Sequence, residues 1–222
     1  MSGSLGERLW TIGRRLFYRL LQLSSRMVSV LLFSFRTEGR HHLNFEGGAM
    51  LLSTHQSLLD PVLVGLAVNQ RLNYLARKTL FKNPAFAFLI RVLDAIEIDR
   101  ERGGLSGLKE MLKRLQRGEW VLMFPEGTRT MDGMLQQIKP GFIPIARRSE
   151  VPIVPIAIVG AYDCLPRGTK MPTRKPISVV VGVPIQFLDY GPLDDQQLLK
   201  LLSDRLVQLH DRGRELANAK PT

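Results

Sequence analysis

The stretch "AMLLSTHQSLLDPVLVGLAV" occupies residues 49–68. Its character changes halfway. "AMLLST" is a short apolar run of the kind that forms a buried strand. "PVLVGLAV" reads as a helix. Between them, Asp60 and Pro61 form a helix-start signal: aspartate at N-cap, then proline in the first turn, where its missing N–H costs nothing. His55 therefore stands at a strand end, and a loop carries the chain from it to a helix N-terminus. In open α/β sheets that edge is where ligands bind.

The same alternation continues outward. "LNYLA", "AIEI", "EWVLMF", "VPIVPIAIVG" and "KPISVVVGVPI" read as strands. Pro152 and Pro155 favour an edge or irregular position for the fourth of these, because proline cannot donate to a ladder. "PAFAFLIRVL" reads as a helix. Leu105, Leu108, Leu112 and Leu115 recur at helical spacing, with Lys109, Lys113, Arg114 and Arg117 mostly opposite them. That basic side reads as solvated surface, with lipid head-group contact as the sharper alternative. Residues 194–219 form a closing helix with Leu198, Leu202, Leu206 and Leu209 on one face. Strands alternating with helices predict an α/β fold, a mixed β-sheet flanked by helices. The α/β domain is expected to span residues 37–222, with no internal repeat.

Residues 1–36 read differently. From Leu5 to Phe35 the chain is densely apolar and free of proline, but Arg14, Arg15, Arg19 and Arg26 interrupt it. Its longest uncharged apolar run is residues 27–35, and a spanning helix needs roughly 20 apolar residues. The expected form is an amphipathic segment lying in the membrane interface. Trp10, Phe17, Tyr18, Leu20 and Leu21 would sink into lipid while the arginines stay at head-group level. Packing on the protein's own core is the competing reading.

The formal charge of +11, from 31 Lys+Arg against 20 Asp+Glu, calls for an anionic partner. Charge alone leaves nucleic acid, anionic lipid and a phosphorylated substrate open. No nucleic-acid motif appears, and the aromatics lie in apolar runs rather than among the basic residues, so no nucleic acid is expected. The single cysteine, Cys164, excludes an internal disulfide framework and a multi-cysteine metal site.

His55 and Asp60 are the leading candidates for chemistry. A carboxylate bonded to Nδ1–H fixes the histidine tautomer, leaves Nε2 to take a proton, and stabilises the imidazolium that results. The competing reading makes Asp60 a plain helix cap and His55 an ordinary loop residue. Ser57 lies between them, but no Gly-x-Ser-x-Gly elbow surrounds it, so it is discounted as a nucleophile. Two later stretches add weight. "AIEIDRERGG" ends a strand with Asp99 and Arg100, and "FPEGTRTMDGMLQQIKPG" leaves a strand with Glu126, Gly127, Thr128 and Arg129. Arginines just past strand ends are well placed for a phosphate at the His55 edge. Gly127 allows a close approach of backbone to ligand, and N–H groups near it are candidate oxyanion donors.

His-x4-Asp, Ile-Asp-Arg, Phe-Pro-Glu-Gly-Thr-Arg and Val-Pro-Ile-Val-Pro, in that order, resemble the four-block pattern of the glycerolipid acyltransferases. The bacterial 1-acyl-glycerol-3-phosphate acyltransferase group is the nearest match. The resemblance covers about residues 51–158. It implies transfer of a fatty acyl group from acyl-CoA or acyl carrier protein to the sn-2 hydroxyl of lysophosphatidic acid, giving phosphatidic acid for phospholipid biosynthesis. It implies His55 as general base and Asp60 as its orienting partner. Lys78 and Arg100 would contact the acceptor's phosphate. Glu126, Gly127, Thr128 and Arg129 would help form the acceptor site, and Pro155 would be architectural. No metal or prosthetic cofactor is implied. The expected location is monotopic, on the cytoplasmic face of the inner membrane, with membrane lipids as partners. Thr54 departs from the usual asparagine, Asp94 and Glu97 depart in the second block, and Thr130 replaces a serine. The second-block changes leave another acceptor open: glycerol 3-phosphate, another lysophospholipid or a lyso-aminolipid.

Overall fold

The computed structural model describes residues 34–68, 70–77, 95–98, 105–169 and 171–219. The strands are β1 (Arg36–Glu38), β2 (Ala49–Ser53), β3 (Leu72–Arg77), β4 (Ala95–Ile98), β5 (Trp120–Met123), β6 (Ile153–Val159) and β7 (Ser178–Val181). The helices are α1 (Asp60–Ala67), α2 (Leu105–Gln116), α3 (Ile143–Ser149), α4 (Ala161–Cys164), α5 (Phe187–Tyr190) and α6 (Asp195–Asn218). The strands form one sheet in the order β1-β7-β6-β2-β5-β3-β4. Only β6 and β7 pair antiparallel, so the sheet is mixed, as the alternation predicts.

The two-residue period of a strand sorts its side chains onto two cores. On β2, Ala49 and Leu51 join Leu63, Val64 and Ala67 of α1 on one face. Met50 and Leu52 join Met111 and Leu115 of α2, Ile143 and Ala146 of α3, and Leu198, Leu202 and Leu206 of α6 on the other. Full burial of each such leucine stabilises the fold by roughly 1.5–3 kcal/mol. Both faces are covered, and that is why the central strands read as unbroken apolar runs.

The prolines of β6 do not put it at an edge. It is central, between β2 and β7. The β6–β7 ladder ends at Ile156 opposite Val181, one step before Pro155. Pro155 still accepts the Gly182 N–H at 2.9 Å. The N–H that proline lacks falls where the ladder stops. Gly182 makes room for the ring, since a Cβ there would sit 2.9 Å from Pro155 Cγ.

Topology decides where a site can form. From β2 the chain leaves through α1, on one face, to β3. From β5 it leaves through α3, on the opposite face, to β6 on the other side of β2. The carboxyl ends of β2 and β5, adjacent and parallel, therefore flank a topological switch point, where open α/β sheets leave a crevice. His55 follows β2, and "PEGTR" follows β5. β3 and β4 run in the same direction and end at the same edge. Lys78, Asp99 and Arg100 come next in the chain and lie outside the described residues. So do Asp94, the "PAFAFLIRVL" stretch expected as a helix, and residues 1–33. β1 starts at this edge too: Arg36 pairs with Ser178, which pairs with Val159 at the end of β6. Among the described residues, no helix is long and apolar enough to cross a membrane.

Candidate active site

Asp60 opens α1, and Pro61 follows in its first turn, but the aspartate does not cap the helix: no side-chain cap bond forms. Its carboxylate turns back into the preceding loop instead. Oδ2 accepts the backbone N–H groups of Gln56 at 2.6 Å and Ser57 at 2.8 Å, and lies 2.8 Å from Nδ1 of His55. The cap expectation fails because a buried carboxylate goes where donors converge, and here three converge on one oxygen. Asp60 is fully buried, whereas the His55 side chain keeps 19 % of its surface exposed. Burial pushes the Asp60 carboxyl above its usual range, while the His55 ring and the two N–H groups pull the other way. With Nδ1–H given to Asp60, Nε2 is the ring nitrogen left with a lone pair.

The β5 loop locks His55 from the other side. Phe124 stacks on the imidazole, centroids 4.0 Å apart and planes 17° from parallel. Glu126 Oε1 accepts the His55 backbone N–H at 2.9 Å, and Thr130 N–H donates to the His55 carbonyl at 2.9 Å. Glu126 Oε2 is buried too and meets no donor in full hydrogen-bond geometry, although the Gln136 N–H acts on the carboxylate. Burial pushes the Glu126 carboxyl up to about 7, against the pull of the His55 and Gln136 N–H groups, and the nearby Asp60 carboxylate adds to the rise. Glu126 thus holds the backbone of the candidate base rather than offering an open acceptor contact.

Arg129 is half-buried on the same loop and forms no hydrogen bond or ion pair with the other described residues. Gly127 adopts φ 76°, the left-handed region, and its N–H donates to the Phe124 carbonyl at 3.0 Å. That N–H closes the turn, which leaves the neighbouring N–H groups of the loop as the candidate oxyanion donors. A Cβ at Gly127 would meet Lys139 Nζ at 3.3 Å, so the glycine leaves space for a second cation over the loop. Thr128 lies beside it, half-buried. Ser57 is no nucleophile: it is buried, and its Oγ donates to the Leu165 carbonyl at 2.9 Å. Thr54, in the asparagine position, accepts the Ile158 N–H at 2.8 Å and ties the β2 end to β6.

Three contributors escape sequence reading. Phe124 looks like the last apolar residue of its strand; only the β2–β5 register, Leu52 beside Met123, sets it against His55. Gln56 looks like loop filler, yet its amide donates to the Gly133 carbonyl at 3.0 Å, and its side-chain oxygen accepts the Tyr162 N–H at 3.3 Å. Lys139 has a recoverable signal, a lysine before Pro140 and Gly141 in the loop that returns to Pro125. Among the described residues, no cluster of three metal-ligating side chains forms.

A dyad of this kind can remove a proton from a hydroxyl, and the cations beside it can hold an anionic group. Comparison with known proteins agrees on the class. A family model described as Acyltransferase matches residues 34–159. A 1-acyl-sn-glycerol-3-phosphate acyltransferase of Bacillus subtilis (strain 168) is 26 % identical over 202 residues, covering 90 % of this chain and 97 % of that one. A chloroplastic 1-acyl-sn-glycerol-3-phosphate acyltransferase of Brassica napus is 29 % identical over 137 residues, 60 % of this chain but 40 % of that one. In fold, the chain is similar to the crystal structure of the 1-acyl-sn-glycerophosphate acyltransferase from Thermotoga maritima. The TM-score is 0.80 at 23 % identity, covering 94 % of this chain and 83 % of that one.

Proposed function

The chain belongs to the acyltransferase family and is an O-acyltransferase, and from that premise we propose that it acylates the sn-2 hydroxyl of 1-acyl-glycerol-3-phosphate at a membrane surface. The acyl donor in this reading is a thioester, acyl-CoA or acyl carrier protein, and the product is phosphatidic acid. The observation that carries it is the His55–Asp60 pair at 2.8 Å, set at the switch point with the β5 loop bonded onto the histidine.

The chemistry follows from the dyad. Nε2 of His55 takes the hydroxyl proton as the oxygen attacks the thioester carbonyl. Asp60 stabilises the imidazolium. The tetrahedral intermediate collapses, the C–S bond breaks, and the imidazolium returns the proton to the departing thiolate. No acyl-enzyme is needed, which suits a site where Ser57 is committed elsewhere. Arg129 and Lys139 supply positive charge for the phosphate, with Lys78 and Arg100 assigned to it by the family resemblance. Fixing both substrates against the dyad contributes as much as the base itself.

Offering the purified protein a panel of lysophospholipids and glycerol 3-phosphate, with each donor in turn, tests this by mass of product. Phosphatidic acid from lysophosphatidic acid is the expected result, lost in His55→Ala. Acylation of a different acceptor, or near-normal turnover in His55→Ala, overturns the acceptor or the general base respectively.

A further inference from the structure

Five large apolar side chains stand exposed around the candidate site: Leu58, Val62, Met131, Met134 and Met171. Met131 is 67 % exposed and Met171 79 %. They come from separate segments that hydrogen bonds gather at one rim. Ser57, next to Leu58, donates to the Leu165 carbonyl. Gln56 joins Gly133 to Tyr162. The Tyr162 hydroxyl donates to the Met131 carbonyl at 2.7 Å.

Cations accompany the methionines. An Arg167 guanidinium nitrogen lies 3.5 Å from Met131 Sδ, and one of Arg214 lies 3.3 Å from Met134 Sδ. Close by in the chain stand Arg129, Arg174 and Lys175, against the acids Asp132 and, on α4, Asp163. Flexible apolar tips with guanidinium groups beside them suit the boundary between acyl chains and anionic head groups. The position agrees. This rim is the edge where β1 begins, the strand that follows the arginine-broken, apolar sequence of residues 1–33.

We propose that loops 131–134 and 165–169 and the side chain of Met171, with Arg167 and Arg214, form a second membrane-contact surface on the catalytic body, one that rests on an anionic phospholipid bilayer. The residues 1–33 are then not the sole attachment. The rim presses the His55 crevice onto the surface that holds a lipid acceptor, and to that extent the inference rests on the proposed function.

The test uses no substrate, so its failure is distinct from failure of that function. Met131→Cys, Met134→Cys and Met171→Cys, each made singly in the chain of residues 1–222, are labelled with an environment-sensitive NBD dye; buried Cys164 stays unlabelled. Position 188 is the reference, since Leu188 is 87 % exposed but follows the Ile153–Ile185 bridge at the opposite edge of the sheet. On vesicles of phosphatidylglycerol and phosphatidylcholine, dyes at the three rim positions should shift to the blue and be quenched by a lipid-borne quencher, and the dye at 188 should do neither. Arg167→Gln with Arg214→Gln should weaken vesicle binding about fivefold per charge. Rim dyes unchanged while the protein sediments with vesicles overturn the proposal. So does a blue emission before vesicles are added, the mark of a rim covered by this chain or a second copy. Vesicle binding unchanged in the double arginine variant overturns it as well.

Discussion

Asp60 and Asp194 both stand at helix starts, and they do different work. Asp194 is exposed and serves its helix: its side chain accepts the Gln197 N–H at 2.8 Å, and Gln197 returns the bond to the Asp194 N–H at 2.9 Å. Asp60 gives its helix nothing. It is buried, and its Oδ2 gathers His55, Gln56 and Ser57. The difference lies in what surrounds the carboxylate. In water, the nearest orphan donors are those of its own helix. At the end of β2, under the β5 loop, the donors of the preceding loop converge first, and a histidine supplies one of them. A helix-start aspartate thus becomes an orienting group through burial alone.

The largest expected effect separates the two aspartates outright. Asp60→Asn should lower kcat by about 10⁴-fold, because an amide no longer enforces the Nδ1–H tautomer. Asp194→Asn should leave kcat untouched. Equal activity in the two variants would make Asp60 a helix-start residue after all. The next effect sharpens the assignment of the β5 loop. Arg129→Ala should raise the acceptor KM by roughly 10–100-fold, the loss of one charged contact, while the donor KM moves little. A matched rise in both would detach Arg129 from the phosphate.

Glu126 tests burial without reactivity. Its folded-state pKa of about 7 stands above the ordinary value of 4.5, so the native state holds this proton more tightly than the unfolded chain does. Its contribution to stability is complete below pH 4.5 and is lost as pH rises through 7. Glu126→Gln should flatten that slope and gain about 1–3 kcal/mol over the parent above pH 7. Thermal unfolding at pH 5 and pH 8 reads it, and an unchanged slope would remove Glu126 as its source. The smallest effect belongs to the cap: Asp194→Ala should cost about 1 kcal/mol, a shift of a few degrees in Tm, with turnover intact.

Much of the site is legible in one dimension because its parts are local. His55 and Asp60 are five positions apart, and the strand, loop and helix start that hold them are written in the same stretch. Arg129 is legible for the same reason, as a cation just past a strand. Phe124 against the imidazole, Glu126 on the His55 N–H and Gln56 between two loops are not, since each depends on which strand lies beside β2. The misreading of β6 has the same origin. Pro155 forbids a ladder bond on one side only, and a glycine in another segment, Gly182, lets the strand sit in the middle of the sheet.

By itself the sequence determined the alternation of strands and helices, the two-sided apolar character of the central strands, the placement of His55 and Asp60 at a strand end, and the basic, arginine-broken N-terminus. Periodicity and turn chemistry act within a few residues, and a single chain displays them directly. Tertiary structure decided the strand order, the switch point between β2 and β5, the conversion of Asp60 from cap to orienting group, and the burial of Glu126. Those depend on which distant segments exclude water from one another, and no local pattern encodes that choice.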